Sequence, residues 1–508
     1  MRKGFRRLNC IFYFIGGLLE ILGLVVLFPI IFVIAYWGQN GDGVKTCIAF
    51  LVPSLFSLVL GFILRRKCKS EGLDMTGSML LCALGWVFIS AAGALPFVIG
   101  YGANYLDAYF EAMSGFTTTG FTIFSGLDNM PRSILFWRAL TQWLGGLGIL
   151  SFFLAITYQV SGAHHIFGAE SHKISSGRPK PGLFNTLRII WVIYTGFTLL
   201  AIVVFILEKM PFFDSVCHAF STLSTGGFSP HDSSIEYYDI IKHPHYRLIE
   251  YTIAFFMLLG GVNFLIHYRV FTRDYKALWD NIEIRYWWRM IAGFTVIIVV
   301  DNLYRSGLLG ELFTRGTLIK PGDFEQSFRN SLFQVISIMT STGFVVRDIG
   351  SSFFGAMSKQ LFLVMMVIGG CVGSTSGGFK VLRIAILNRL MYREVFKLRV
   401  SGKASSGLVI DKKYVSEEDI ERVASLFFIW IVLVLIGGAI TALFSNHGPF
   451  ESLSGMFSAV GNIGPCYISV QDIIHLNPMI KITYIFGMLA GRLEILPVLL
   501  LFSSRAWK

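Results

Sequence analysis

Four stretches of the chain carry a glycine as their next-to-last residue: DAYFEAMSGFTTTGF (Asp107–Phe121), DSVCHAFSTLSTGGF (Asp214–Phe228), NSLFQVISIMTSTGF (Asn330–Phe344) and ESLSGMFSAVGNIGP (Glu451–Pro465). Each starts with Asp, Asn or Glu and reaches a glycine 13 positions later, at Gly120, Gly227, Gly343 and Gly464. One Thr-Thr-Thr-Gly alone reads as a polar turn; four copies at one register do not. The chemistry such segments offer belongs to the backbone. A ring of carbonyl oxygens can replace the hydration shell of an alkali cation, and glycine admits the φ values that aim those oxygens inward. The residues that would present them are Thr118, Thr119 and Gly120; Thr225, Gly226 and Gly227; Thr342 and Gly343; and Asn462, Ile463 and Gly464. Counting 13 from Asp214 selects Gly227, and Gly226 then matches Thr119, Thr342 and Ile463.

Such segments need elements to hold them. The residues before each glycine are apolar for about a dozen positions, too few to cross a bilayer, which implies a re-entrant helix. Non-helical backbone at membrane depth persists only where it is buried or lines water. The negative C-terminal ends of four short helices would favour a cation. The acids Asp107, Asp214 and Glu451 have two readings: attraction of cations at an outer mouth, or helix capping, which their position and types favour and which Asn330 can share.

The rest of the chain supplies the membrane. Of 508 residues, 54% are hydrophobic and 15% charged, well short of the quarter usual in soluble domains. Cys10–Tyr36 is apolar except for Glu20, long enough to span about 30 Å of hydrocarbon and too long for a signal peptide. Hydropathy predicts ten spans, near 10–36, 46–64, 76–100, 134–158, 188–207, 248–268, 288–304, 358–386, 423–445 and 478–503, with both termini cytoplasmic. The net charge of +12 excludes little by itself. Its clusters (Arg2, Lys3, Arg6, Arg7; Arg65, Arg66, Lys67, Lys69; Lys380 to Arg399) abut apolar spans, as the cytoplasmic charge bias predicts, so nucleic acid is not the partner and membrane lipid is. His164 and His165 fall in a cytoplasmic loop without metal-ligand company. The seven cysteines show no paired or metal spacing.

The glycines lie 107, 116 and 121 residues apart, a period that fits a duplicated helix–loop–helix unit. The helices that follow repeat as well, with Gly145–Gly146, Gly260–Gly261, Gly369–Gly370 and Ala490–Gly491. The expected fold is an all-α polytopic membrane protein: an N-terminal two-helix region over 1–70, then pore repeats over 71–160, 185–272, 285–395 and 420–508.

Two departures from the symmetry stand out. In repeat 3, Gly369, Gly370, Gly373, Gly377 and Gly378 crowd with Ser374, Thr375 and Ser376 before Lys380. Glycine costs about 1 kcal/mol in a helix interior, so this run predicts an interrupted helix and a loop obstructing the path. Tight packing through small residues is the alternative. Lys380 would partner that loop or snorkel to the cytoplasm. In repeat 4, Arg492 stands where the others have Leu147, Val262 and Cys371. A charge at this depth faces water or a partner: it is a positive barrier in the path or an ion pair with Glu494.

SGFTTTGF, STLSTGGF, GGCVGSTSGGFKVLR and AGRLEI together resemble the Trk/Ktr/HKT superfamily of potassium transporters over about 65–508, and the two extra N-terminal helices resemble its TrkH/TrkG type. The resemblance implies a potassium-channel-like pore with K+ as the transported ion and a filter glycine in each repeat, an intramembrane gate over Gly369–Gly378, and Arg492 as the family arginine below the filter. It also implies a homodimer in the bacterial inner membrane, working with a cytoplasmic TrkA-type subunit that binds nucleotides. No bound organic cofactor is expected on this chain, which has no dinucleotide or phosphate-loop motif. The fourth filter departs from the pattern, with Asn462 for a hydroxyl residue and Pro465 for Phe.

A gated channel and a proton- or sodium-coupled symporter both fit. An intramembrane hydrolase would need a catalytic set such as a Ser–His pair. His218 and Ser221 are near in sequence, but their counterparts, read as Glu111 and Ser114, Gln334 and Ser337, Met456 and Ala459, share no such set.

Overall fold

The computed structural model describes residues 2–69, 72–159, 183–307, 321–399, 407–411 and 413–507. His164 and His165 lie outside them. The two N-terminal helices, Arg2–Val25 (continued by Ile30–Ala35 after Pro29) and Val44–Lys67, pack along each other. A methyl group on Gly16 or Gly61 would press on the other's carbonyl oxygen, so small residues bring the backbones together. Glu20, the lone acid of the first span, pairs with Arg65 at 2.6 Å.

Four units follow, each a helix, a short re-entrant helix and a second helix. Their first helices are Met75–Gly93, Leu183–Leu207, Ile282–Arg305 and Glu417–Phe444. The re-entrant helices are Tyr105–Phe116, Phe212–Leu223, Pro321–Met339 and Pro449–Gly461. The segment Val409–Ile410 pairs with Lys413–Tyr414 in a small antiparallel hairpin, a minor departure from an all-helical chain. Large apolar side chains such as Ile31, Leu55, Phe56, Val203 and Phe428 are exposed on the outside, where lipid replaces water.

Five described helices are long and apolar enough to cross a membrane, or six if one bent pair counts as a span. The ten expected spans are therefore not ten straight helices. The span expected over 248–268 bends by 102° between Tyr246–Gly261 and Phe264–Phe271. Asn263 causes the restart: its Oδ1 accepts from Leu265 N at 2.8 Å, a cap in the middle of an apolar run. The span over 358–386 divides into Ala356–Val367 and Val381–Arg399. The span over 478–503 stops at Arg492 and resumes at Leu496–Leu501, with Glu494 and Ile495 at φ 59° and 69° and Pro497 behind them. Among the described residues, the second helix of repeat 1, Arg132–Gln159, alone runs through unbroken.

The capping expectation holds for Glu451, whose carboxylate accepts from the Gly448 N–H at the start of its helix at 2.9 Å, and needs correction for the others. The first re-entrant helix is capped by Asn104, whose side chain accepts from Asp107 N at 3.0 Å. The caps of the second and fourth are Pro211 and Gly448. Asp107, Asp214 and Glu451 each lie in the first helical turn, three residues further in, where a carboxylate still complements the helix dipole. Asn330 is interior to a helix that begins at Pro321.

Candidate ion pathway

The four C-terminal ends of the re-entrant helices converge. Gly120, Gly227, Gly343 and Gly464 have φ of 72°, 78°, 84° and 101°, a region that disfavours any side chain. They also have no room for one. A Cβ on Gly120 would strike the Gly226 carbonyl oxygen, one on Gly227 that of Thr342, and one on Gly343 that of Ile463. One on Gly464 would lie 2.9 Å from the Thr119 oxygen. The contacts run from repeat 1 to 2 to 3 to 4 and back to 1, so the segments form a closed ring with the carbonyls of Thr119, Gly226, Thr342 and Ile463 against it.

The turn into the ring has one geometry in all four repeats. Two residues before each glycine, Thr118, Thr225, Ser341 and Asn462 adopt φ of 51°, 53°, 52° and 53°. One residue later, the N–H of Thr119, Gly226, Thr342 and Ile463 donates to the carbonyl of Ser114, Ser221, Ser337 and Ser458 at 2.8, 2.8, 2.8 and 3.0 Å. The fourth equivalent serine is thus Ser458, not Ala459, and the residue matching His218 is Gly455, not Met456. Ser341 was not among the expected ring residues, although it holds the same position as Thr118, Thr225 and Asn462.

Side chains from behind hold the ring. Glu111 and Arg138 form a buried ion pair at 2.8 Å. Glu111 also accepts from Ile123 N at 2.9 Å, and Arg138 donates to Ser229 O and Thr122 Oγ1, each at 3.0 Å. One turn along, Gln142 bonds the backbone on both sides of Gly227. Asn462 donates to Thr119 Oγ1 at 2.9 Å and to Met488 O at 2.8 Å, so an amide performs on the fourth side the linking that hydroxyls perform elsewhere. His218 bonds Asp214 O and Ser229 Oγ, so the nearby Ser221 is not its partner. On the side away from the re-entrant helices' ends the four glycines floor an open cavity of about 310 Å³, walled by Arg138, His231, Asp232, Glu236 and Asp348 among others.

Beneath the ring lies the break in repeat 3. Residues 368–380 leave the helix and fold into a loop that touches two other repeats, the second and the fourth. Cys371 N and Thr375 N donate to the Gly261 and Gly260 carbonyls at 3.0 and 3.3 Å, the two carbonyls freed by the bend at Asn263. Thr375 Oγ1 donates to Leu223 O at 3.0 Å, the end of the second re-entrant helix. Gly377 N donates to Ser341 Oγ at 2.6 Å, and a Cβ on Gly377 would press on Asn462. Gly369 N bonds Phe379 O at 2.9 Å, closing the loop at its neck. Gly370, Gly373 and Gly378 allow the close approaches, Ser374 Oγ shares a hydrogen bond of 2.7 Å with Ser376 Oγ, and Val372 N is held by Glu283 at 2.7 Å. Lys380 is buried and donates to Ser376 O, so it partners the loop and does not snorkel.

Arg492 is 2% exposed. It donates to Thr375 O at 2.6 Å and to Gly145 O at 3.1 Å. Glu494 pairs with Arg383 instead. Among the described residues no carboxylate neutralises Arg492, and its charge stands below the ring, solvated by carbonyls of the loop and of repeat 1.

The reach of Gln142, the helix stop at Asn263 and the pairing of Arg383 with Glu494 join residues 84 or more apart or depend on one polar residue in an apolar run. Only Asn263 left a trace in the sequence, as an amide inside a predicted span.

A family model described as TrkH, cation transport protein, matches residues 56–507. An uncharacterized cation transporter of Methanocaldococcus jannaschii is 30% identical over 507 residues, covering 98% of this chain and 96% of its own. The Trk system potassium uptake protein TrkH of Salmonella typhimurium is 31% identical over 477 residues, covering 91% and 92%. The crystal structure of the potassium transporter TrkH from Vibrio parahaemolyticus superposes with a TM-score of 0.83 at 27% identity, over 99% of this chain and 100% of that one.

Proposed function

The chain belongs to the TrkH family of cation transport proteins, and we propose that it carries potassium into the cell across the bacterial inner membrane through the glycine ring. One observation carries the reading. The ring closes on itself through four equivalent glycines, each packed on a carbonyl of the next repeat, and carbonyl rings are the means by which backbone replaces the hydration shell of K+. Thr118, Thr225, Ser341 and Asn462 form its inner lip, and Gly120, Gly227, Gly343 and Gly464 its outer rim.

The loop over 368–380 is the gate. It is bound beneath the ring by hydrogen bonds that a modest displacement would break, and its glycines give it other conformations at low cost. Arg492 contributes a positive barrier and a latch on that loop. The chain works as a homodimer, and a cytoplasmic nucleotide-binding subunit of the TrkA type moves the gate; the relatives named as parts of a Trk system support that partner.

Expression in a potassium-transport-deficient bacterium, with and without a regulatory subunit, tests the reading: growth at low potassium should return. Reversal potentials of the purified protein in bilayers should follow the potassium gradient alone for a gated channel. A shift with a proton or sodium gradient would establish symport, and absence of potassium flux from folded protein would end the proposal.

A further inference from the structure

Repeat 2 lacks a side chain where the other three have one. Gly226 stands in the position of Thr119, Thr342 and Ile463. In repeats 1 and 3 the threonine ties its strand down: Thr119 Oγ1 shares a hydrogen bond of 2.7 Å with Thr117 Oγ1, and Thr342 Oγ1 one of 2.7 Å with Thr340 Oγ1. In repeat 4 the Ile463 side chain is buried in the core.

In repeat 2 the space is filled from another repeat. Gln142, on the unbroken second helix of repeat 1, is fully buried. Its Nε2 donates to the Gly226 carbonyl at 2.6 Å and its Oε1 accepts from Phe228 N at 3.0 Å. A Cβ placed on Gly226 would run into the Gln142 amide. The two bonds straddle Gly227. They also fix which way the amide points, because the Phe228 N–H must meet the oxygen. Arg138, one turn earlier on the same helix face, reaches Ser229 O, so repeat 1 supports the second strand at two consecutive levels.

We propose that Gln142 is a specificity-determining positioning residue, standing in for the side chain that repeat 2 lacks and setting the direction and field strength of the Gly226 carbonyl. The proposal rests on the reading of the ring as an ion filter. A carbonyl oxygen has two lone pairs, so Gly226 O can accept from Gln142 and still face an ion. Discrimination between alkali cations depends on the geometry and field strength of such carbonyls, and a side chain bonded to one of them sets both.

The test uses the purified full chain in bilayers and reads the permeability ratio of potassium to sodium. Gln142→Glu keeps the shape but turns a donor into an acceptor facing the Gly226 carbonyl; the ratio should fall by about tenfold, the scale of one buried hydrogen bond. Gly226→Ala should lower it as well, because its methyl group lands on the amide. Gln142→Ala combined with Gly226→Thr returns a side chain to the strand itself and should recover most of the ratio. A merely structural role would lower the amount of folded protein without moving the ratio or producing that rescue. Where Gln142→Glu yields no folded protein, Gly226→Ala and the double variant decide. Gly343→Ser is measured in parallel. Loss of discrimination there, with wild-type ratios in Gln142→Glu and Gly226→Ala, overturns the role of Gln142 and leaves the filter standing. Wild-type ratios in all three overturn the filter reading, and this role with it.

Discussion

Arg492 and Thr375 are 117 residues apart, and a hydrogen bond of 2.6 Å joins the guanidinium of one to the main-chain carbonyl of the other. Arg492 thereby ties the end of a repeat 4 helix to the middle of the repeat 3 loop. Charge-assisted bonds of this kind contribute about 1.5–3 kcal/mol, enough to hold a two-state element roughly tenfold or more to one side.

Arg492→Ala should therefore raise basal flux by about tenfold or more in the absence of any regulatory subunit. Rubidium uptake into proteoliposomes measures it. Deleting residues 373–377 should do the same by removing the loop's contacts with Leu223, Gly260 and Ser341. Unchanged flux in both variants, at normal amounts of folded protein, would mean that the loop is not a gate.

Gly227→Ser and Gly343→Ser should each weaken the discrimination of potassium from sodium. The serine Cβ has no room against the Thr342 or Ile463 carbonyl, and positive φ adds strain for any L side chain. The neighbouring carbonyl must move, and the ring changes width. Competition of sodium with rubidium uptake reads the effect; wild-type competition in both variants would remove these glycines from the ion path.

The ring was legible because it recurs. Four stretches at one 13-residue register isolate Gly227 from Gly226 without any structure, and the crowding of glycine with Ser374, Thr375 and Ser376 marks the repeat 3 break by composition alone. The bend at Asn263 and the stop after Arg492 were not legible, because a hydropathy window averages one amide or one proline into an otherwise apolar span. Asp107 and Asp214 looked like caps for a similar reason: a carboxylate is favourable both at the cap and three residues inside it, and type does not separate the two positions. The partnerships of Gln142 with Gly226 and of Arg383 with Glu494 are tertiary, with no local signal to carry them.

Arg138→Met should lower thermal stability sharply. It leaves the Glu111 carboxylate buried without its cation, which costs about 3–5 kcal/mol for pairs of this kind. Replacing both partners, Glu111→Gln with Arg138→Met, should recover a large part, because no uncompensated charge then remains. Melting of the detergent-solubilised protein checks both; equal losses in the single and double variants would show that the cost comes from packing.

His231 should make the fold sensitive to pH. Its Nδ1 meets Asp128 at 2.6 Å, its Nε2 meets Asp214 at 3.1 Å, and its ring stacks on Tyr237 at 3.5 Å, with Tyr238 and His218 also against it. Burial pulls the imidazolium down, but the hydrogen bond and charge of Asp214, and then of Asp128, outweigh it and hold His231 above the ordinary histidine value. A raised folded-state value means that the protonated form stabilises the fold. That contribution is complete below the unfolded value of about 6.5 and is lost as pH rises through the folded one. Asp128 belongs to the turn that follows the ring glycine of repeat 1 and Asp214 to the re-entrant helix of repeat 2, so the protonated ring joins the two repeats. Thermal stability should fall in the wild type as pH rises above about 6.5 and through the raised folded value, and lose most of that slope in His231→Gln, which keeps a donor but cannot titrate. Identical pH profiles for the two proteins would show that the histidine joins the repeats by shape and hydrogen bonding, without its charge.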